Sequence, residues 1–160
     1  MESRGAGRLV RSWAGLAAVA TAACTEPNVP DPSSPLGTWT YRFVTSATVA
    51  GQEIKCYEDG VVSFVREASN DISGFSGVVH SNCVPTGALA PRSGRVPVED
   101  ASVSQTSVAY RAEACVFTAS VPSPSTGGAP IRGDGFVTCR NALIGTADSA
   151  TAAGPLVLTR

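Results

Sequence analysis

Much of the usual catalytic equipment is missing from this 160-residue chain. It has one histidine, His80, and one lysine, Lys55. A histidine-rich metal site is excluded by count. A Ser-His-Asp arrangement would have to run through His80, and no G-x-S-x-G sequence accompanies it. A lone polar residue on a strand reads as solvent-facing. The basic residues are scattered, without the patch or stripe that a nucleic-acid footprint needs. No C-x-x-C pair occurs, and the last four cysteines are spaced 27, 32 and 24 residues apart, unlike a structural zinc site. Phosphate, calcium and dinucleotide loops are absent, so no cofactor is implied. Helical periodicity is nearly absent as well. The longest uncharged apolar run, Trp13 to Ala23, would span only about 16 Å as a helix, half of a hydrocarbon core of about 30 Å.

What is present at the N-terminus is an export pattern. Arg4, Arg8 and Arg11 precede that apolar run, and small residues lead to Cys24. Thr21-Ala22-Ala23-Cys24 resembles the bacterial lipobox, in which small residues precede a cysteine that is lipidated and becomes the mature N-terminus. Thr21 stands where that pattern usually has Leu. The resemblance implies lipidation at Cys24, a membrane partner through the lipid anchor and a cell-envelope location. Cleavage without lipidation, giving a secreted protein, is the alternative. Residues Thr25 to Pro35 carry four prolines and no core-forming pattern, as an extended tether does. The organisation expected is therefore a signal peptide over 1–23, a tether over 24–35 and one domain over 36–160. Without Arg4, Arg8, Arg11 and Glu2 the chain keeps nine basic and twelve acidic residues, a net charge near −3.

The cysteine count is odd. Cys56, Cys83, Cys115 and Cys139 form two disulfides in an exported domain, and Cys24 is left over. Three connectivities exist. The sequential one, Cys56–Cys83 with Cys115–Cys139, closes loops of similar size and suits neighbouring strands.

Along the domain, short apolar or alternating runs recur between Gly, Pro, Ser, Asn and Asp. Thr38–Val49 alternates with a period of two. Gly51-Gln52 turns the chain into Glu53–Glu58, and Asp59-Gly60 reads as a tight turn before Val61–Glu67. Phe75–Cys83 follows, with Gly74 and Gly77 marking a kink or a close backbone approach. Arg95–Asp100 contains Pro97, which suits an edge or a bulge. Ser107–Ala112 and Cys115–Val121 pair across Ala112–Ala114. Gly135–Cys139, Ala142–Thr146 and Pro155–Thr159 close the chain, with Pro122 to Pro130 as the longest loop. The fold class is all-β, an antiparallel meander of about eight to ten short strands. Such a meander closes into a barrel to leave no edge unpaired.

Leu36-Gly37-Thr38-Trp39-Thr40-Tyr41 resembles the start of a calycin-type barrel: the lipocalin group opens its first strand with Gly-x-Trp, matched by Gly37 and Trp39. The resemblance implies that Trp39 plugs one barrel end and that Arg160 packs over it. It also implies a ligand-binding role; an enclosed lumen would have the inward aromatics Trp39, Tyr41, Phe43, Phe64 and Tyr110 as candidate lining residues, although filling the core is their default role. Adjacent carboxylates at Glu58-Asp59 and Glu99-Asp100 read as solvated turn residues rather than a glycosidase pair. Arg132-Gly133-Asp134 reads as a turn into a strand. No catalytic residue and no metal site emerges. The expected function is non-enzymatic: an envelope lipoprotein whose small barrel binds a small apolar ligand or a partner protein. A protease inhibitor of barrel type and a purely structural envelope protein are the alternatives.

Overall fold

A computed structural model describes residues 35–122 and 130–160 of the chain. The expected signal segment, Cys24, the expected tether up to Ser34 and residues 123–129 of the expected Pro122–Pro130 loop lie outside the described residues. The alternation of the first run builds β1 (Gly37–Val49), with Trp39, Tyr41, Phe43, Thr45 and Ala47 inside and Thr38, Thr40, Arg42 and Ser46 outside. Ala50 (φ 51°) and Gly51 (φ 81°) then reverse the chain, the two positive φ angles of a type I′ hairpin turn.

The next strand corrects the sequence expectation. β2 runs unbroken from Gln52 to Arg66, and Asp59-Gly60 sits in its middle. Gly60 is no turn residue. It lies opposite Tyr41 on β1, and a Cβ there would stand 2.5 Å from the Tyr41 hydroxyl and 2.2 Å from the Gly77 carbonyl oxygen. The tyrosine side chain thus lies over a strand position that tolerates no side chain of its own.

β3 (Ile72–Val84) pairs with β2. Its pairing slips once: Gly60 faces Val78 and Asp59 faces His80, so Val79 is an extra residue, a β-bulge. This bulge reverses the alternation of β3. Before it Ser76 points inward; after it Cys83 does. Cys56, inward on β2, is then directly opposite Cys83, and the two form a disulfide. The second disulfide, Cys115–Cys139, joins directly opposed residues of β7 (Cys115–Ser120) and β8 (Arg132–Ala142). The pairing is sequential, as expected for neighbouring strands.

β4 (Arg95–Pro97) pairs with β3, and β5 (Glu99–Val103) pairs with β6 (Ser107–Ala112). Val98 links β4 to β5 and donates its N–H to the Gly74 carbonyl oxygen at 3.1 Å. Pro97 therefore stands at the break between two short strands. β6 pairs with β7 around the Ala112–Cys115 turn, β8 follows, and β9 (Ser149–Thr159) returns to pair with both β8 and β1. The order β4-β3-β2-β1-β9-β8-β7-β6-β5 is a nine-stranded antiparallel meander, nearly closed as a barrel. The expected extra strand over Ala142–Thr146 is a turn instead, anchored by one isolated bridge from Leu143 to Leu89. The leading strands are also longer than expected: 13, 15 and 13 residues.

The interior has two tiers. The lower tier contains Trp39, Tyr41, Phe43, Phe64, Tyr110 and Phe117 with Val62, Val108, Val137, Leu156 and Leu158. Trp39 closes its end. The indole N–H donates to the Pro35 carbonyl at 2.8 Å, and the Arg160 guanidinium carbon lies 5.9 Å from the Trp39 ring centre while donating to the Leu36 carbonyl at 2.7 Å. The upper tier is smaller: Ala47, Ile54, the Cys56–Cys83 bridge, Leu89 and Ala152. Here β6 and β7 have already turned back, and among the described residues no strand spans from β3 to β8. The loop of residues 85–94 does so instead. Ala90 N–H donates to the Ala142 carbonyl and Ile144 N–H to the Ala88 carbonyl, both at 3.0 Å.

Candidate functional site

The five aromatics expected to line a lumen are brought together, but around one another. Tyr41 and Phe43 stack at 5.9 Å between ring centres, and Tyr110 stacks on Phe117 at 4.4 Å. Phe64 meets Tyr110 edge-on at 5.3 Å, and Phe43 meets Phe117 at 5.8 Å. Trp39 is fully buried beneath them. Such offset and edge-to-face contacts fill space as a packed core does.

The chemistry lies one step above these rings, at the junction of the two tiers. Glu58 was read from sequence as a solvated turn residue. It is an inward position of β2 and its side chain is 2% exposed. One of its oxygens, Oε1, accepts a hydrogen bond from the Tyr41 hydroxyl at 2.9 Å and from Arg92 Nη1 at 3.0 Å. Arg92 comes from the 85–94 loop and reaches inward, with 11% of its side chain exposed. Its Nε donates to Glu113 Oε2 at 3.3 Å and its Nη2 to the Ala112 carbonyl at 3.5 Å, both at the β6–β7 turn. Its backbone N–H donates to Ser81 Oγ on β3 at 3.2 Å. The guanidinium also faces the Phe117 ring, 5.9 Å from its centre. One residue therefore joins β2, through its side chain, and β3, through its backbone, to the β6–β7 turn.

Burial governs the protonation of this cluster. It raises the Glu58 carboxyl above its ordinary range, and the Arg92 charge and the bonds from Tyr41 and Ser81 only partly offset this. The Tyr41 and Tyr110 phenols are raised too, first by burial and then by neighbouring negative charge: Glu58 for Tyr41, Tyr41 and Glu58 for Tyr110. Thr45 Oγ1 and Tyr110 Oη are buried without a hydrogen-bond partner. Such groups are the exception in protein interiors.

The other sequence candidates are on the outside. Asp59 is half-buried on the outer face and pairs with His80 Nδ1 at 3.1 Å. Glu99 and Asp100, on β5, pair with Arg111 at 3.2 and 2.7 Å. Asp134 pairs with Arg132 at 3.0 Å on β8 rather than in a turn. Two open clefts of about 590 and 570 Å³ lie on the outer face around Arg42, Asp59 and Val79. Among the described residues no group of three or more His, Cys, Asp or Glu is placed to hold a metal ion, and no helix is long and apolar enough to cross a membrane. No family model, no curated protein and no solved structure matches the chain.

Sequence reasoning missed Glu58 and Arg92 as partners, 34 residues apart. One signal was available. Glu58 continues the inward set Ile54, Cys56 if the strand is read through Asp59-Gly60 instead of ended there.

Proposed function

We propose that this protein is a non-enzymatic cell-envelope lipoprotein, anchored through lipidated Cys24, whose barrel binds a small, largely apolar ligand at the end covered by the 85–94 loop. The observation that supports the anchoring is the cysteine arithmetic. Cys56, Cys83, Cys115 and Cys139 pair with one another, which leaves Cys24 behind the apolar run as the cysteine with a separate role. The barrel leads off from Pro35 at the Trp39 end, so a tether there directs the loop-covered end away from the anchor. Binding is supported by the junction cluster. A buried acid, a loop-borne arginine and unpartnered hydroxyls cost stability that a plain apolar core would not.

Mass spectrometry of the mature protein from its native host tests the anchor. A diacyl- or triacyl-glyceryl cysteine at position 24 is the expected N-terminus; an unmodified alanine or cysteine there overturns it. Native mass spectrometry of the same preparation tests binding, with a co-purified small molecule expected and a mass equal to the lipidated chain alone counting against it.

A further inference from the structure

We infer that Arg92 occupies a ligand subsite, and that the natural ligand presents an ammonium or guanidinium group on a small apolar body, displacing Arg92 from Glu58 when the 85–94 loop lifts. The inference rests on the proposed reading of the barrel as a binding module.

The argument begins with how the upper ring is closed. β1, β2, β3, β8 and β9 form most of it, and the remaining arc is a loop held by separate bonds outside any strand ladder. Backbone bonds from Ala90 to Ala142 and from Ile144 to Ala88, with the Leu89–Leu143 bridge, tie it to the end of β8 and the turn after it. Gly94 accepts from Val78 at 3.0 Å, and Arg92 adds its bonds to Ser81, Glu58, Glu113 and Ala112. Strand-to-strand closure would have used a continuous ladder. A segment fixed by separate bonds opens at lower cost than the barrel around it. When it lifts, Leu89 leaves the apolar surface made by Ala47, Ile54, Ala152 and the Cys56–Cys83 bridge. Beneath that surface are Glu58, the Tyr41 hydroxyl and the unpartnered Thr45 Oγ1.

The exposed floor is selective for charge. With Arg92 withdrawn, Glu58 keeps only the hydrogen bond from Tyr41 among the groups that now meet its Oε1. A buried carboxylate without a cation is strongly disfavoured, so a neutral occupant forces Glu58 to take up a proton and an anionic one adds a second negative charge beside it. A guanidinium or ammonium restores the charge balance and inherits the face of Phe117, 5.9 Å from where the Arg92 guanidinium carbon now lies. The apolar body of such a ligand would cover the surface that Leu89 covers in the closed form. The charged groups that face this position are Glu58 from β2, Glu113 from the β6–β7 turn and Arg92 itself, with the Tyr41 and Tyr110 phenols from β1 and β6.

The test compares n-butylguanidine, n-butylammonium, n-butanol and butyrate by NMR titration of the disulfide-intact domain. Wild-type protein must open its latch to bind, so its apparent affinity is reduced by the fraction of molecules that are open. Arg92→Ala is expected to bind the two cations at least about tenfold more tightly than wild type. Adding Glu58→Gln to Arg92→Ala is expected to abolish that gain. Equal binding of butanol or butyrate would overturn the ligand class and leave the binding-module reading standing. Absence of binding by any probe to a folded Arg92→Ala protein would overturn the subsite. If Arg92→Ala does not fold, Arg92→Lys, which keeps the charge and loses the two-pronged reach, is expected to show the same direction. A second readout needs no variant: the Ala90 amide is expected to exchange with solvent faster than the barrel amides. Exchange of Ala90 only at the rate of global unfolding would overturn the opening step.

Discussion

The lower tier is closed by strands and filled with rings; the upper tier is closed by a loop and filled mostly by small side chains, and each contains one disulfide. The two stand on the same five strands, yet they solve burial differently. Below, six aromatic side chains and aliphatic neighbours meet from nearly every strand, and Arg160 seals the end over Trp39. Above, the buried set is mostly alanine, isoleucine, leucine and the Cys56–Cys83 bridge. Buried apolar area is the main stabilising quantity, so the lower tier carries the fold. The upper tier has less of it for the same covalent support of one disulfide. Between them, among the described residues, lies the one place where charge is buried, and a loop residue completes it. A stable scaffold below and an inexpensive opening above is the arrangement a binding module needs.

The largest expected effect contrasts Phe117→Ala with Leu89→Ala. Phe117 touches Tyr41, Phe43 and Tyr110, and its truncation is expected to cost about 4 kcal/mol in global stability by urea unfolding. Leu89→Ala is expected to cost about 2 kcal/mol and to speed hydrogen exchange mainly across residues 85–94. Equal costs with the same exchange pattern would erase the distinction between the tiers.

Next come the disulfides. Each spans 24 or 27 residues and restricts the unfolded chain by about 3 kcal/mol on loop-entropy grounds. The two paired-alanine variants are therefore expected to lose similar global stability. They are expected to differ in where protection is lost. Removing Cys56–Cys83 loosens the upper tier, whereas removing Cys115–Cys139 loosens the β7–β8 pairing beside the aromatic core. Calorimetry and amide exchange on the two variants measure this.

Gly60→Ala should be felt at the junction. The added methyl meets the Gly77 carbonyl and the Tyr41 ring, so a cost of about 2 kcal/mol is expected from forced displacement. Double substitution with Tyr41→Phe, compared with each single change, tests whether the two positions are coupled. Strict additivity would separate Gly60 from the Tyr41–Glu58 bond.

The smallest effect is pH dependence. Burial holds the folded-state Glu58 carboxyl above its ordinary value of 4.5. The folded protein thus takes up this proton at higher pH than the unfolded chain does. Stability from this group is present in acid and is lost as pH rises through the raised value. Relative to Glu58→Gln, wild type is expected to gain stability on acidification from neutral toward pH 4.5. A difference between the two proteins that stays constant with pH would show that Glu58 does not titrate in this way.

Much of the fold was legible because its signals are local. Alternation at Trp39, Tyr41 and Phe43 marks β1 and its inward face. The hairpin turns and the sequential cysteine pairing follow from neighbours in sequence being neighbours in space. The Asp59-Gly60 dipeptide misled for a definite reason. Its glycine answers to a tyrosine on the adjacent strand, not to a turn, and only pairing reveals that. The candidate site was illegible on the same ground. Glu58 and Arg92 meet only after β2 is wrapped beside β3 and the following loop is folded back over the barrel end.

The sequence by itself determined the all-β class, the meander, the sequential cysteine pairing and the inward set of the first strand. Each of these depends on periodicity, composition or short spacing, which a chain displays without folding. The tertiary structure alone decided the rest. One extra residue at Val79 reverses the alternation of β3 and turns Cys83 inward to meet Cys56. The early return of β6 and β7 leaves the gap that the loop carrying Arg92 fills. Burial then sets the charge state of Glu58. These depend on which strand lies beside which and at what register, and register is a property of pairs, not of any one segment.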